Sequence, residues 1–198
     1  MTDSCWIETF MGKRFYILNP TEEMVCIEDI AHALSNQCRW TGHVSRFYSV
    51  AEHSIWVSRL CTPRDAMWGL LHDASEAYLC DLSRPVKHGS GIGPMYRQLE
   101  AKLMAVICKR FGLPEEMPHS VHAADNAMLF AEKKQLMTSI EWDNDSIHTW
   151  DASGGKNLDV QIVGYGPYGA KHLFLERFRA LEKAAKYQQA SDEIQRTI

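Results

Sequence analysis

The chain has 198 residues, 45% hydrophobic and 23% charged, enough for one domain with its own core. Its net charge of −4 excludes a broad electrostatic grip on nucleic acid or on an anionic membrane, so any phosphate it meets is held by a few placed cations. The six cysteines are scattered without a C-x-x-C pair, no apolar run is long enough to span a membrane, and no secretory leader is recognisable. Free thiols in a reducing cytoplasm are the expectation.

Taken in chain order, WIETFMGKRFYIL alternates around Met11-Gly12 and predicts a small β-hairpin. Ile27, Ile30, Ala31 and Leu34 follow the helical i, i+3, i+4, i+7 spacing. NQCRWTGHVSRFY has no period and reads as a loop. Ser49 with Glu52 three positions on forms a capping box, so a helix carrying His53 begins there. TPRDAMWGLLHDASEAYL predicts a helix with Thr62 as N-cap and Pro63 in the first turn. The next helix is bounded by Pro94 and Gly112, and MPHSVHAADNAMLFAEKKQLM predicts another.

From about Asn144 to Gly169 the chain is polar, Gly-rich and aperiodic, a loop-rich insertion with a short strand at DVQIVGY. A last helix over about 170–187 carries Ala170, Leu173, Arg177, Phe178 and Leu181 on one side, and the tail after Gln188 is expected to fray. The prediction is an all-α protein, mainly a helical bundle, with the N-terminal hairpin as an appendage. It is one domain over 1–198 with its core in about 6–140.

The chemistry concentrates in LLHDASEAYLCDLSRPVK. At about 100° per residue, Asp73 lies about 100° from His72 and Glu76 about 40°, between them. Leu70, Leu71, Ala74, Ala77 and Tyr78 point the other way. A solvated polar face is the plainer explanation of that trio taken alone. Two other segments weigh against it. His53 stands among Val50, Ile55 and Val57 on its own helix, where a buried structural histidine is the ordinary reading. Asp125 has Val121, Met128 and Leu129 as helical neighbours, and a carboxylate on an apolar face must be paired, hydrogen-bonded or bound to metal. His53, His72, Asp73 and Asp125 form an N/O donor set suited to Zn²⁺, Mn²⁺, Co²⁺, Ni²⁺ or Fe²⁺ and poorly suited to Ca²⁺.

The order His53, His72-Asp73, Asp125 on helical segments resembles the HD-domain metal phosphohydrolases. HDASEAYLCDLSRPVK, supported by YSVAEHS and CRWTGH, resembles the signature of their small 5′-deoxynucleotidase branch. With the WIETFMGKRFY opening, the resemblance extends to a phage subgroup that includes dATP triphosphohydrolases of bacteriophages with diaminopurine genomes. It spans roughly residues 6 to 140 and implies roles by position. His53, His72, Asp73 and Asp125 hold one divalent transition metal, Zn²⁺, Co²⁺, Mn²⁺ or similar, with Mg²⁺ accompanying the substrate phosphates. Glu76 activates the attacking water and Arg39 orients the reacting phosphate.

Trp40 packs beside the sugar, although a tryptophan at the edge of the core is its plainer reading. Asp81, Leu82, Ser83 and Arg84 form the substrate-binding loop, Lys87 reaches further phosphates, and His122 assists. Cys80 stands where the family commonly has glycine. The implied function is hydrolysis of dATP to deoxyadenosine and triphosphate in the host cytoplasm, by a homo-oligomer that needs neither nucleic acid nor membrane. The alternatives are a general 5′-deoxynucleotidase acting on monophosphates, a non-catalytic nucleotide-binding module of the same fold, and a helical interaction domain with an incidental polar face.

Overall fold

Left-handed Gly12, with φ 73°, closes a turn in which Thr9 N–H donates to Lys13 O. The computed structural model describes residues 5–138 and 158–197. Strand β1 (Ile7–Glu8) pairs antiparallel with β2 (Arg14–Phe15), Ile7 facing Phe15, as the alternation predicts. Phe15 is fully buried and stacks on Tyr78, and Met11 N–H donates to Asp29 Oδ1 at 2.7 Å. These two contacts fasten the hairpin to the helices.

Eight α-helices, with short 3₁₀ turns at Glu22–Met24 and Arg39–Gly42, make up the rest of the regular structure among the described residues: α1 (Ile27–Asn36), α2 (Val50–Leu60), α3 (Ala66–Leu71), α4 (Glu76–Leu79), α5 (Arg84–Gly89), α6 (Gly93–Phe111), α7 (His119–Leu136) and α8 (Pro167–Thr197). The all-α architecture with a small hairpin is as expected. None of these helices is long and apolar enough to cross a membrane.

Helix α2 is the axis of the bundle. It packs against α1, α3, α7 and α8 and is buried nearly all round. Ser49 caps it, accepting from Glu52 N–H at 3.1 Å. The other half of the capping box is diverted: the Glu52 carboxylate accepts from the N–H groups of Val163, Gly164 and Tyr165. On one side of α2, Val50, Ala51 and Ile55 meet α1 and α8 residues in one core. On the other, Val57 joins Val121, Ala124 and Met128 of α7. His53 lies between the two and is fully buried.

The helix expected over Thr62–Leu79 is not continuous. Thr62 to Asp65 form a turn, α3 starts at Ala66, and the chain tightens after Leu71. Ala74 N–H reaches Leu71 O and Glu76 N–H reaches Asp73 O, both one residue short of the α-helical bond. The uniform 100° wheel therefore fails across residues 72–75.

Helix α6 starts and ends as predicted, with Pro94 in its first turn and left-handed Gly112 as its cap. Of the stretch expected to be loop-rich near 144–169, residues 144–157 lie outside the described residues. The strand expected at DVQIVGY does not form. Side chains take the place of a partner strand there: Gln135 bonds Val160 O and Ile162 N–H, and Glu52 takes the next three N–H groups.

Helix α8 is longer at both ends than the expected 170–187, and the tail after Gln188 stays helical. Pro167 suits a first turn, and KYQQASDEIQ contains no breaker. Its buried face is Ala170, Phe174 and Phe178, so Phe174 lies at the centre of the stripe.

Cys80 ends α4 with φ 71° and ψ 153°, a region almost reserved for glycine. Its thiol is exposed, so little packing depends on it. Cys80→Gly is expected to stabilise the protein by about 1 kcal/mol, the strain relieved less the entropy of glycine. Thermal unfolding should shift up by about 2–4 °C. An unchanged or lower midpoint would show that the side chain contributes more than the strain removes.

Candidate metal and phosphate site

Three helical segments deliver the four predicted ligands to one place. His53 comes from the first turn of α2, His72 and Asp73 from the tightened turn after α3, and Asp125 from the second turn of α7. His53 Nε2 lies 3.2 Å from His72 Nε2 and 3.1 Å from Asp125 Oδ1. His72 Nε2 lies 3.2 Å from Asp73 Oδ2, and the diagonals His53–Asp73 and His72–Asp125 are 3.8 and 3.9 Å. Asp125 is not buried as its apolar neighbours imply: its side chain is 29% exposed and forms the rim of the cluster.

The opposite ring nitrogens decide what this cluster can hold. His53 Nδ1 lies 2.6 Å from Glu132 Oε1, and His72 Nδ1 lies 2.8 Å from Gly69 O. Both partners only accept, so each Nδ1 carries the proton and donates it. Both Nε2 lone pairs then face each other, with a carboxylate oxygen on either side. With both rings neutral, four acceptors converge, an arrangement that fits a metal cation; without one, a proton on His53 Nε2 takes its place against Asp125 Oδ1. Two imidazoles and two carboxylates match a divalent transition metal, with each histidine oriented by an outer hydrogen bond.

The electrostatics agree. Burial and Arg39 oppose a charged His53 ring, yet Glu132 and Asp125 outweigh them and raise it to about 9. Burial also works against charge on Asp125, but its bond to His53 and the charges of both imidazoles lower it to about 2. Asp73 likewise is held far below the carboxylate range, against burial, by His72, His53 and Arg39. The site favours positive charge between its carboxylates.

Glu132 is the residue that sequence reasoning missed. It is fully buried, and its second oxygen accepts from Arg39 Nε at 3.2 Å and from Trp40 Nε1 at 2.9 Å. Its signal lay in the spacing: it stands seven residues, two helical turns, after Asp125, with Met128 and Leu136 four positions either side. Arg39 also reaches Asp73 Oδ2 at 3.5 Å. The turn that presents Arg39 and Trp40 is strained: Trp40 (φ 58°) and Thr41 (φ 54°) are both left-handed without being glycine.

Glu76 is buried, and among the described residues its Oε2 has no hydrogen-bond partner. Burial, then the charges of Asp73 and Asp81, push its pKa well above the ordinary range. Gln37 ties this corner together, donating to Glu76 O and accepting from Asp81 N–H. Asp81 is also raised, by burial first and then by Asp73.

The outer residues of the predicted set are placed differently. Leu82 and Ser83 are half-buried and lead into α5, where Ser83 O accepts from Val86 and Lys87 N–H. Lys87 is held by Glu100 at 2.5 Å. Arg84 and His122 are exposed.

No protein-family model matches the chain. It is similar to the uncharacterized protein YfdR of Escherichia coli K12, 37% identical over 183 residues that cover 91% of this chain and 98% of that one. It is also 37% identical over 155 residues to the uncharacterized protein RCAP_rcc00048 of Rhodobacter capsulatus, covering 72% and 78% of the two chains.

Proposed function

From a chain that belongs to the family of Escherichia coli YfdR, and from the site it carries, we propose a metal-dependent phosphohydrolase of the HD type that acts on deoxynucleotides. The convergence of His53, His72, Asp73 and Asp125, with both Nε2 lone pairs turned inward, carries the reading. These four residues would hold one divalent ion, which when bound would supply Lewis acidity to the reaction.

The chain's own groups do the rest. Arg39 presents a planar fork to a phosphate from the strained turn. Glu76 takes the proton of the attacking water: a carboxylate whose pKa is raised by burial is the stronger base. Water oxygen bonds to phosphorus as the bond to the 5′ oxygen breaks, and that oxygen leaves with the proton Glu76 took from the water. With dATP, the favoured substrate, the products are deoxyadenosine and triphosphate. A non-catalytic module has no use for a buried, unpartnered carboxyl at Glu76.

One observation favours the second reading, a 5′-deoxynucleotidase acting on monophosphates. Lys87, the cation assigned to the outer phosphates, is already engaged by Glu100. It must exchange that partner to meet a triphosphate tail.

The deciding experiment is a product-resolved panel of the four dNTPs, the four dNMPs and the matching ribonucleotides with Co²⁺, Mn²⁺, Mg²⁺ or Zn²⁺. Triphosphate released from dATP supports the first reading; turnover of dAMP without dATP moves the assignment to the second. Inertness with every substrate and metal overturns both.

In the same panel Trp40 is expected to exclude a 2′-hydroxyl, so that dATP exceeds ATP by about 10²-fold and Trp40→Ala narrows the gap. Equal rates on ATP and dATP in the unaltered protein return Trp40 to a purely structural role.

A further inference from the structure

Three hydrogen-bond donors from two different parts of the site meet on one buried carboxylate. His53 Nδ1–H bonds Glu132 Oε1, while Arg39 Nε–H and Trp40 Nε1–H share Oε2. The first donor belongs to a ligand of the cation cluster. The other two belong to the turn that faces phosphate. We propose that Glu132 couples occupancy of the metal site to the conformation of the Arg39–Gly42 turn, so that the turn is set for substrate when the metal is held. This rests on the metal-site reading above.

The turn needs such a hold. Trp40 and Thr41 are consecutive left-handed residues without glycine. Backbone in that region persists only where its surroundings over-determine it. Two carboxylates anchor the turn's side chains, Glu132 to both Arg39 and Trp40, and Asp73 to Arg39. Each also belongs to the cation cluster, Glu132 through His53 and Asp73 directly.

A cation on His53 Nε2 fixes the position of the ring, and with it the direction in which Nδ1–H is aimed at Glu132 Oε1. That tightens Oε1 and immobilises the far oxygen on which Arg39 and Trp40 rest. The linkage is reciprocal, so a turn held in place raises the affinity of the metal site by the same factor.

Glutamine has nearly the shape of glutamate but only one acceptor oxygen. Its amide nitrogen cannot accept, so it must abandon either His53 or the turn. Glu132→Gln is therefore expected to weaken binding of Zn²⁺ or Co²⁺ alone by about 10–100-fold, read by competition with a chelator. Hydrogen exchange of the turn amides supplies a second readout. In the unaltered protein, added metal slows exchange at residues 39–43; in Glu132→Gln at saturating metal it does not.

Trp40→Phe leaves the carboxylate and His53 in place and removes one donor of the turn. Coupling predicts that it weakens the metal by about fivefold. If Glu132→Gln fails to fold, Trp40→Phe carries the test alone.

Unchanged metal affinity in Trp40→Phe, or metal-dependent protection of the turn that survives in Glu132→Gln, overturns the coupling and leaves Glu132 serving His53 alone. An unaltered protein that takes up no metal removes the metal-site reading itself, a result distinct from either.

Discussion

Asp125→Ala is expected to lose its tightly held metal and, with it, all hydrolysis of deoxynucleotides. Asp125 is the one candidate ligand contributed by α7, and it stands 3.1 Å from His53 Nε2 on the open side of the cluster. The remaining His53, His72 and Asp73 form a three-donor group that could still hold a metal ion. Affinity should nevertheless fall by more than the roughly 10–100-fold typical of an outer-sphere partner, because a direct bond is lost. The unaltered protein, purified without chelator, should carry about one transition metal per chain. Elemental analysis beside the substrate panel checks both points. Full occupancy with full activity in Asp125→Ala would remove this residue from the ligand set.

Glu76→Gln is expected to keep the metal and the fold and to lose at least ~10² in turnover, the scale of a missing general base. It should also alter stability in a direction that a simple loss of contact does not produce. A carboxyl whose folded pKa is raised gives its full stability below the unfolded pKa and loses it as pH rises through the folded value. Burial and the charges of Asp73 and Asp81 place Glu76 in this class.

Glutamine escapes that penalty. Chelated Glu76→Gln should therefore melt above the chelated parent once pH exceeds about 4.5, the ordinary glutamate value, and the two should converge below it. Melting curves at several pH values, together with steady-state rates, test the pair of effects. A variant that turns over normally would leave Glu76 without the role of base. Equal melting at all pH values would show that its carboxyl is better solvated than its surroundings imply.

The elements that could be read from the sequence are those whose signals are local. Ser49 with Glu52, Pro94 and Gly112 each act within a turn of their own position, and the helix ends they mark are found there. The break after Leu71 leaves no such mark. Ala74, Ser75, Glu76 and Ala77 are compatible with uninterrupted helix, and the tightening brings His72 and Asp73 toward groups 19 and 52 residues away.

Glu132 was hidden for a related reason. In AEKKQ it reads as one more surface charge, and its burial depends on Arg39 and Trp40, more than ninety positions earlier. Patterns along the chain singled out the four residues that converge because each stood on a segment with a strong period of its own. The carboxylate joining those segments belongs to tertiary structure, where no local pattern records it.

The carboxylate of Glu52 and the amide of Gln135 have an engineering consequence. Gln135, near the end of α7, grips both Val160 and Ile162, and Glu52 grips the following three residues. Residues 160–165 are thus secured to α7 and α2 by side chains. Loop-closure entropy grows only with the logarithm of length, about 0.6 kcal/mol per doubling. Inserting residues between 138 and 158 is therefore expected to leave the grip of Gln135 and Glu52 on residues 160–165 in place. Glu52, the residue before His53, thus ties residues 163–165 to the helix that carries a candidate ligand, so a reporter at those positions is joined to the scaffold of the site without being part of it.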